Sequence, residues 1–376
     1  MNLVCFSHLK WDFVYQRPQH LLSRFTKEYS VFYIQEHYFS DGDDRYDIAC
    51  NDEDVWIITP VLGNNGDGTL IDRQRRIIDR IFADQDITDF IAWYYTPMSL
   101  LFSDHLRPVV TVYDCMDELS AFKFADPQLK EAEGLLFKRA DVVFTGGQSL
   151  YDAKKDKHAN IHPFPSSIDK EHFRVARSSQ VEFPDQATIP RPRLGFYGVI
   201  DERFDIDLIR DAAVLRPDWH FILVGPVVKI DPASLPRMRN IYYLGSKTYK
   251  ELPGYLSGWD VALIPFAINE STRFISPTKT PEYLAAGKPV ISTAITDVIE
   301  PYGNMNLVHI VDNAASLVEK ATTELNRSDR QEWIETVDQF LVTNSWSNTW
   351  TGMHELIKKE LSKKQHLTIV KTKEYV

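Results

Sequence analysis

The stretch Ser276–Val290 reads SPTKTPEYLAAGKPV and combines a helix start, a cation, a carboxylate and a helix stop. Two Ser/Thr-Pro pairs mark the start, because proline suits the first helical position and lacks only an N–H that would have no partner there. Gly287 suits the left-handed residue that ends a helix, Pro289 prevents continuation, and an apolar strand begins at Val290. The stretch therefore predicts a short helix that ends just before a buried strand.

Lys279 stands at the start of this helix, where a cation opposes the helix dipole. Free N–H groups and the positive end of the dipole bind phosphate well. A phosphate between Lys279 and the helix would offset the repulsion between the ammonium group and the positive end of the dipole. We therefore predict a phosphate site that is formed by Ser276, Pro277, Thr278 and Lys279. The alternative is that Lys279 is solvated and Glu282 is an ordinary first-turn acid.

Length and composition exclude several classes of protein. A chain of 376 residues with 44% apolar residues is too long for one ordinary core, so we expect two domains. The formal net charge of −11 argues against nucleic-acid binding, which would need a basic face. The three cysteines show no disulfide or zinc spacing, and neither a signal peptide nor a run of roughly 18 apolar residues is present. We therefore expect a cytoplasmic protein.

Short apolar strands alternate with amphipathic helices in both halves of the chain, which is typical of parallel α/β sheets. Two proline-rich stretches with little periodicity, residues 160–173 and 181–193, lie between the halves and indicate a linker. We predict two doubly wound Rossmann-like α/β domains, residues 1–175 and 190–345, facing each other across a cleft. Residues 346–376 are predicted to form a helix returning to the first domain, then a basic tail. Glycine-rich dinucleotide and P-loop motifs are missing, which weakens dehydrogenase and P-loop interpretations.

Several motifs occur in the order found in the GT-B-fold glycosyltransferases called family 4 or group 1. Residues 276–290 resemble the nucleotide-diphosphate segment of that family, and FPSSID at residues 164–169 resembles its Pro-Asn-Gly-Val-Asp hinge. In the first domain, SHLKWD at residues 7–12 and RPQH at residues 17–20 resemble a subgroup of bacterial cell-surface polysaccharide transferases. The resemblance covers residues 1 to about 350.

The resemblance implies a glycosyltransferase that moves a sugar from a UDP-sugar or GDP-sugar to a surface-polysaccharide or lipid-linked glycan acceptor. It implies retention of configuration, and we expect neither a metal nor a bound cofactor. Two alternatives stay open: a nucleotide-sugar epimerase of the same fold, and a non-catalytic GT-B subunit of a transferase complex. The second is motivated by a departure from the family pattern, because Phe274 stands where the family has the first of two glutamates and only Glu282 matches.

The basic tail motivates one further partner. From Lys358 onward the chain has six lysines and two glutamates, a local net charge of +4. Such a tail could contact the anionic inner face of a membrane, since each cation contributes about 1 kcal/mol near that surface. The alternative is a solvated, frayed terminus.

The resemblance and the chemistry of transfer assign roles in the second domain. Lys279 and Arg203 are predicted to stabilise the charge that develops on the departing diphosphate. Gly198 is predicted to let the backbone approach the phosphates, with a simple tight turn as the alternative. Glu282 resembles the family carboxylate that accepts hydrogen bonds from ribose hydroxyls. The remaining predicted nucleotide contacts are Lys247 and Tyr249, which would face the base; Tyr249 could equally pack at a helix start.

In the first domain, Asp114 follows a strand and is predicted to contact the sugar or the acceptor hydroxyl, or to act as a base. Its alternative role is helix capping or solubility. His8, Arg17 and Gln19 line the first strand-to-helix connection, where we expect the acceptor to bind, although Arg17 could instead cap structure. The acidic stretch Asp41–Asp44 could mimic a metal site, but a solvated turn is the preferred interpretation.

Overall fold

The computed structural model of the protein describes residues 1–179 and 182–374. Two compact units can be distinguished: Met1–Pro165 together with Ser347–Val376, and Ser166–Trp346. The predicted first domain extends to residue 175, whereas residues 166–175 belong to the second unit because the buried ring of Phe173 packs there. Val181 of the predicted linker and the side chains of the predicted basic tail beyond residue 366 lie outside the described part of the chain.

The first unit is built on one sheet. Its strands are β1 (Asn2–Phe6), β2 (Ser30–Ile34), β3 (Tyr38–Ser40), β4 (Arg45–Cys50), β5 (Val55–Gly63), β6 (Phe90–Tyr94), β7 (Val110–Cys115), β8 (Val142–Thr145) and β9 (Ile161–Pro163). Their spatial order is β3-β5-β2-β1-β6-β7-β8-β9, and every neighbouring pair on this path is parallel. The antiparallel strand β4 pairs with β5. Central strands such as β6 are buried along their whole length, as expected for a sheet covered on both faces.

The second unit contains a parallel sheet of its own. Its strands are β10 (Arg193–Tyr197), β11 (His220–Val224), β12 (Ile241–Gly245), β13 (Val261–Ile264), β14 (Val290–Thr293) and β15 (Val308–Val311). The spatial order β12-β11-β10-β13-β14-β15 reverses direction between β10 and β13, as in the doubly wound Rossmann arrangement. The predicted class of two doubly wound α/β units is confirmed. A ligand of such a sheet binds outside the carboxyl ends of the strands at the reversal point.

Helices connect the strands. They are α1 (Arg17–Phe25), α2 (Leu70–Asp84), α3 (Leu100–Ser103), α4 (Leu129–Arg139), α5 (Gln148–Lys154), α6 (Lys170–Arg174), α7 (Pro184–Ala187), α8 (Ile206–Leu215), α9 (Leu252–Ser257), α10 (Lys279–Ala285), α11 (Thr296–Val298), α12 (Ala314–Leu325), α13 (Arg330–Phe340) and α14 (Trp346–Glu374). The predicted linker therefore contains two short helices, α6 and α7. Pro184 occupies the first turn of α7, where a missing N–H costs no hydrogen bond.

The long helix α14 packs in the first unit. The ring of Trp350 lies 5.9 Å from that of Phe25, and the hydroxyl of Tyr29 lies 3.0 Å from Nε2 of His354. Within the described residues, no helix is both long enough and apolar enough to cross a membrane.

Candidate functional site

Two glycines bring the ends of neighbouring strands together at the reversal point of the second sheet. Gly198 follows β10 with φ of +137°, and Gly225 follows β11 with φ of +143°. The N–H of Gly198 donates to the carbonyl of Val224 at 2.9 Å. A Cβ on Gly225 would lie 1.9 Å from the carbonyl oxygen of Gly198, so only glycine fits at this position. The backbone of this loop is thus both left-handed and tightly packed.

The side chain of Lys279 lies over this loop. A Cβ on Gly198 would be 2.3 Å from Cε of Lys279 and 2.8 Å from Nζ. The ammonium group is also 5.8 Å from the ring centroid of Phe196 and 5.6 Å from that of Phe266, which is within the range of a cation–π contact. The alternative of a solvated Lys279 is therefore wrong. Gly198 makes room for this side chain, and the positive charge of Lys279 stands at the strand ends.

The loop before α10 is held by the residue that begins the second unit. Ser166 Oγ donates to the carbonyl oxygen of Ser276 at 2.5 Å, and Ser166 N lies 3.4 Å from Ser276 Oγ. Pro277 and Thr278 follow, and their carbonyls accept the first hydrogen bonds of the helix, from Thr280 and Glu282. The helix begins at Lys279, so Pro281 lies in its first turn. The predicted phosphate segment thus has a fixed backbone.

Glu282 turns from α10 toward β10. Its side chain is buried, and its Oε2 accepts a hydrogen bond of 2.5 Å from the hydroxyl of Tyr197. Burial raises the pKa of Glu282 to about 7, although the Tyr197 hydrogen bond and the charge of Lys279 both lower it. The carboxylate therefore bonds a side chain on β10, which is not how a first-turn acid caps its own helix.

The sequence predicts Arg203 as a second cation of the site, and the structure pairs its side chain with Asp201. Its Nε lies 3.0 Å from Oδ1 of Asp201 and its Nη2 lies 2.7 Å from Oδ2, which is a two-point ion pair. Asp201 is only 4% exposed. Asp201 thus neutralises the guanidinium in this structure, which weakens the case for Arg203 as a catalytic cation, and its role at the diphosphate stays a prediction.

Lys247 and Tyr249 are also engaged with protein groups. Nζ of Lys247 lies 2.7 Å from Oδ2 of Asp185 and 5.0 Å from the ring centroid of Tyr255. Tyr249 begins a 3-10 turn and stacks on His172 with ring centroids 4.2 Å apart and planes 10° apart. The packing interpretation of Tyr249 is the one that the structure shows. Lys247 ties α7 to the sheet, so its predicted contact with a base is not supported.

Phe173 contacts both Tyr249 and Tyr197, and Tyr197 is the residue whose hydroxyl binds Glu282. The ring of Phe173 lies 5.6 Å from that of Tyr249 and 6.4 Å from that of Tyr197. Tyr249 therefore belongs to an aromatic layer on α6 and β10. Sequence reasoning missed Tyr197 because a tyrosine at the end of an apolar strand carries no signal of its own.

In the first unit, Arg17 and Asp114 bind each other. Nε of Arg17 lies 3.1 and 3.0 Å from the two carboxylate oxygens, and Nη2 lies 2.9 Å from Oδ1. The side chains are 6% and 0% exposed, and Nη1 donates to the carbonyl of Phe164 at 2.8 Å. This geometry contradicts the predictions that Asp114 acts as a base and that Arg17 binds the acceptor. The pair instead anchors the end of β9, so the structural alternative for Arg17 is the one observed.

Gln19 is structural as well. Its Nε2 donates to the carbonyls of Trp11 and Val14 at 2.5 and 3.1 Å, and its Oε1 accepts from the backbone N–H of Gln16 at 3.0 Å. At 1% exposure it holds the loop after β1, and we correct its assignment to the acceptor. His8 lies half-buried in the same loop and stays a prediction.

The acidic stretch after β3 forms ordinary turn contacts. Nε of Arg73 lies 3.0 Å from Oδ2 of Asp44, and the amides of Asn64 and Asn65 donate to Asp41 and Asp43 at 3.0 and 3.2 Å. In the described part of the chain, no group of three or more His, Cys, Asp or Glu side chains is placed to hold a metal ion.

Part of the chain is similar to known sequences. Residues 191–327 match the sequence model of the family described as Glycosyl transferases group 1. TuaH of Bacillus subtilis (strain 168), named as a glycosyltransferase of teichuronic acid biosynthesis, is 29% identical over 220 residues. That match covers 54% of this chain and 54% of TuaH, so the similarity spans about half the length of this relative.

Solved structures resemble nearly the whole chain. Sucrose-phosphate synthase of Thermosynechococcus elongatus gives a TM-score of 0.72 at 14% identity and covers 96% of this chain and 100% of its own. The α,α-trehalose 6-phosphate synthase of Burkholderia multivorans gives 0.71 at 11%, covering 96% and 99%. Anabaena HepE in complex with UDP gives 0.67 at 14%, covering 96% and 100%. At these identities the similarity shows the fold.

The residues that the site brings together, Gly198, Gly225, Lys279 and Glu282, all lie inside the matched range. The chain therefore has the GT-B fold, and its residues 191–327 match the sequence model of the Glycosyl transferases group 1 family.

Proposed function

We propose that the protein is a glycosyltransferase that moves a sugar from a nucleotide-diphosphate donor to a hydroxyl of a glycan acceptor. The observation that carries the proposal is the position of Lys279, whose ammonium group lies over Gly198 beside the carboxyl ends of β10 and β11. In a doubly wound sheet this is where a nucleotide binds. HepE, whose structures hold UDP and UDP with glucose, supports a uridine donor; a GDP-sugar is the other candidate.

The chemistry needs positive charge at the leaving group. The anomeric C–O bond of the donor breaks and its electron pair stays on the diphosphate, while the acceptor oxygen bonds the anomeric carbon and gives its proton to the departing diphosphate. Lys279 and the first turn of α10 would stabilise the charge on the departing diphosphate. Glu282 would accept hydrogen bonds from the ribose hydroxyls. The proposal includes retention of configuration and independence from metal, both of which the family resemblance implies.

For the acceptor we propose a surface polysaccharide or a lipid-linked glycan, which the similarity to TuaH supports. Transfer would take place in the cytoplasm or at the inner face of the membrane. Helix α14 provides cations for such a contact: the side chains of Lys363 and Lys364 are 54% and 44% exposed. Each is also paired with an acid, Glu360 and Asp141 respectively, at 2.6 and 2.7 Å, which weakens their attraction for lipid.

A non-catalytic subunit is the second candidate, because Asp201 neutralises Arg203 and Phe274 replaces a family glutamate. Such a subunit need not bind a nucleotide. If the protein is an active transferase, UDP or GDP at about 100 times its Kd should stabilise the fold by about 2.7 kcal/mol. No rise in Tm with either nucleotide would overturn the transferase proposal.

The sharpest test of the site replaces Lys279 by methionine, which keeps the aliphatic stem over Gly198 and removes the charge. Loss of a hydrogen bond to a charged phosphate costs about 1.5–3 kcal/mol, so we expect roughly 10- to 100-fold weaker UDP or GDP binding by calorimetry. Lys250→Met, at an exposed position of the same unit, is the matched control and should leave Kd unchanged. Nucleotide release that occurs only when acceptor is added separates transfer from epimerisation, which would convert donor alone.

A further inference from the structure

Tyr197 is the last residue of β10 and stands directly before Gly198. Its hydroxyl donates to Glu282 Oε2 at 2.5 Å, and its backbone N–H donates to the hydroxyl of Tyr283 at 3.0 Å. The ring of Tyr283 meets that of Tyr197 edge-on at 4.9 Å, and the ring of Trp259 lies at 6.1 Å. Tyr197 is therefore held by Glu282 and Tyr283 of α10 and by the ring of Trp259.

This contact uses one oxygen of Glu282 and leaves the other. Glu282 is 6% exposed, and no described group of the protein donates a hydrogen bond to its Oε1. A carboxylate oxygen that no protein group donates to can accept hydrogen bonds from a ligand. Two neighbouring ribose hydroxyls are such donors.

We propose that Tyr197 is a positioning residue that keeps Glu282 ionised and orients its free oxygen toward the ribose of the donor nucleotide. This inference rests on the proposed function of the site. Tyr197 itself has no contact with the ribose in this scheme, because its hydroxyl hydrogen is committed to Oε2. It acts through Glu282.

The groups that face Glu282 determine its charge. They are Tyr197 from β10 and Lys279 and Tyr283 from its own helix. Two other ionisable groups of this unit are engaged with partners of their own: Arg177 pairs with Asp338 of α13, and His172 of α6 stacks on Tyr249. Burial raises the pKa of Glu282, and the Tyr197 hydroxyl lowers it. Removal of that hydroxyl should therefore raise this pKa and lower the ionised fraction at neutral pH.

The test is Tyr197→Phe, which keeps the ring and removes only the hydroxyl. We expect the pH midpoint of UDP binding, measured by calorimetry, to move up by about one pH unit, since a hydrogen bond to a charged group contributes about 1.5–3 kcal/mol. A shift of that size from a pKa of about 7 makes binding roughly fivefold weaker at about pH 7 and restores it to within about twofold near pH 9. A structural defect would weaken binding at every pH.

Two further variants complete the design. Tyr302→Phe removes the hydroxyl of another buried tyrosine of the same unit and should leave the pH midpoint unchanged. Glu282→Gln removes the titrating group and should flatten the difference between low and high pH, even if Tyr197→Phe folds poorly. Because the terminal phosphate of UDP also titrates, each variant is compared with the wild type on the same ligand.

The outcomes separate this inference from the function on which it rests. If the wild type binds neither UDP nor GDP, both ideas fail. If the wild type binds and Tyr197→Phe keeps the wild-type midpoint, or weakens binding equally at all pH values, the positioning role is wrong and the nucleotide site stands. A shifted midpoint with recovery at high pH supports the inference.

Discussion

The ion pair between Arg17 and Asp114 gives the most demanding prediction. Sequence reasoning makes Asp114 a catalytic group, whereas the structure buries it completely against three guanidinium contacts of 2.9–3.1 Å. Asp114→Asn removes the charge of one partner and leaves an arginine that cannot lose its proton. Breaking a buried pair in this way costs about 3–5 kcal/mol.

The assay is thermal unfolding of the full chain. A unit of this size loses about 2–4 °C in Tm for each kcal/mol, so the transition of the first unit should fall by roughly 6–20 °C. Asp104→Asn, at a pair whose side chains are 37% and 56% exposed, is the control and should change stability by about 0–1 kcal/mol. Combining Arg17→Met with Asp114→Asn removes both charges and should recover much of the loss.

The loss of stability caused by Arg17→Met alone should depend on pH. Burial raises the pKa of Asp114, and Arg17 opposes the rise, so the carboxyl of this variant keeps a proton that the unfolded chain has released. A folded-state pKa above the unfolded value means that stability falls as pH increases. The Tm deficit of Arg17→Met should therefore be smaller near pH 5 than near pH 7.

One result would refute the anchoring role of the pair. If Asp114→Asn leaves the Tm of the first unit within about 1 °C of the wild type and abolishes sugar transfer, then Asp114 is reactive and the ion pair is not what holds the end of β9.

Two further predictions concern the second unit. Gly225→Ala places a Cβ 1.9 Å from Gly198 O in a left-handed backbone, so we expect the second unit to lose its cooperative unfolding transition in calorimetry. The control is Gly134→Ala in α4 of the first unit, where the added Cβ meets open space and should raise stability by about 0.5–1 kcal/mol. Burial opposes ionisation of Glu324, but hydrogen bonds from His309 and Arg327 lower its pKa to about 2. In melting experiments at several pH values, Glu324→Gln should therefore lower stability by about 3 kcal/mol near pH 7 and by progressively less below about pH 4.5.

Much of the fold follows from local patterns. Apolar runs of four to six residues between helical segments predicted β1, β10 and β14, because a strand covered on both faces has no polar side to interrupt the run. The proline-rich segment was predicted as a linker, since proline weakens every helix pattern except at the first turn. Pro184 lies in the first turn of α7, where proline is tolerated, so this helix was missed.

The site was less accessible to sequence reasoning, because its chemistry depends on long-range pairing. Arg17 and Asp114 were both recognised as polar groups after strands, yet they are 97 positions apart and nothing local shows that they neutralise each other. Arg203 is a different case: its partner Asp201 is only two residues away, but spacing alone cannot separate an ion pair from a cation that faces a ligand. Lys279 and Glu282 were found because their helix carries a distinctive order of residues.

The packing of Lys279 against Gly198 also constrains how this protein can change over time. A methyl group at position 198 would take the space of the lysine stem and would also strain a backbone with φ of +137°, so a shorter side chain at position 279 would not make alanine acceptable there. Position 198 is therefore expected to remain glycine, and a library that varies it should recover mostly inactive clones.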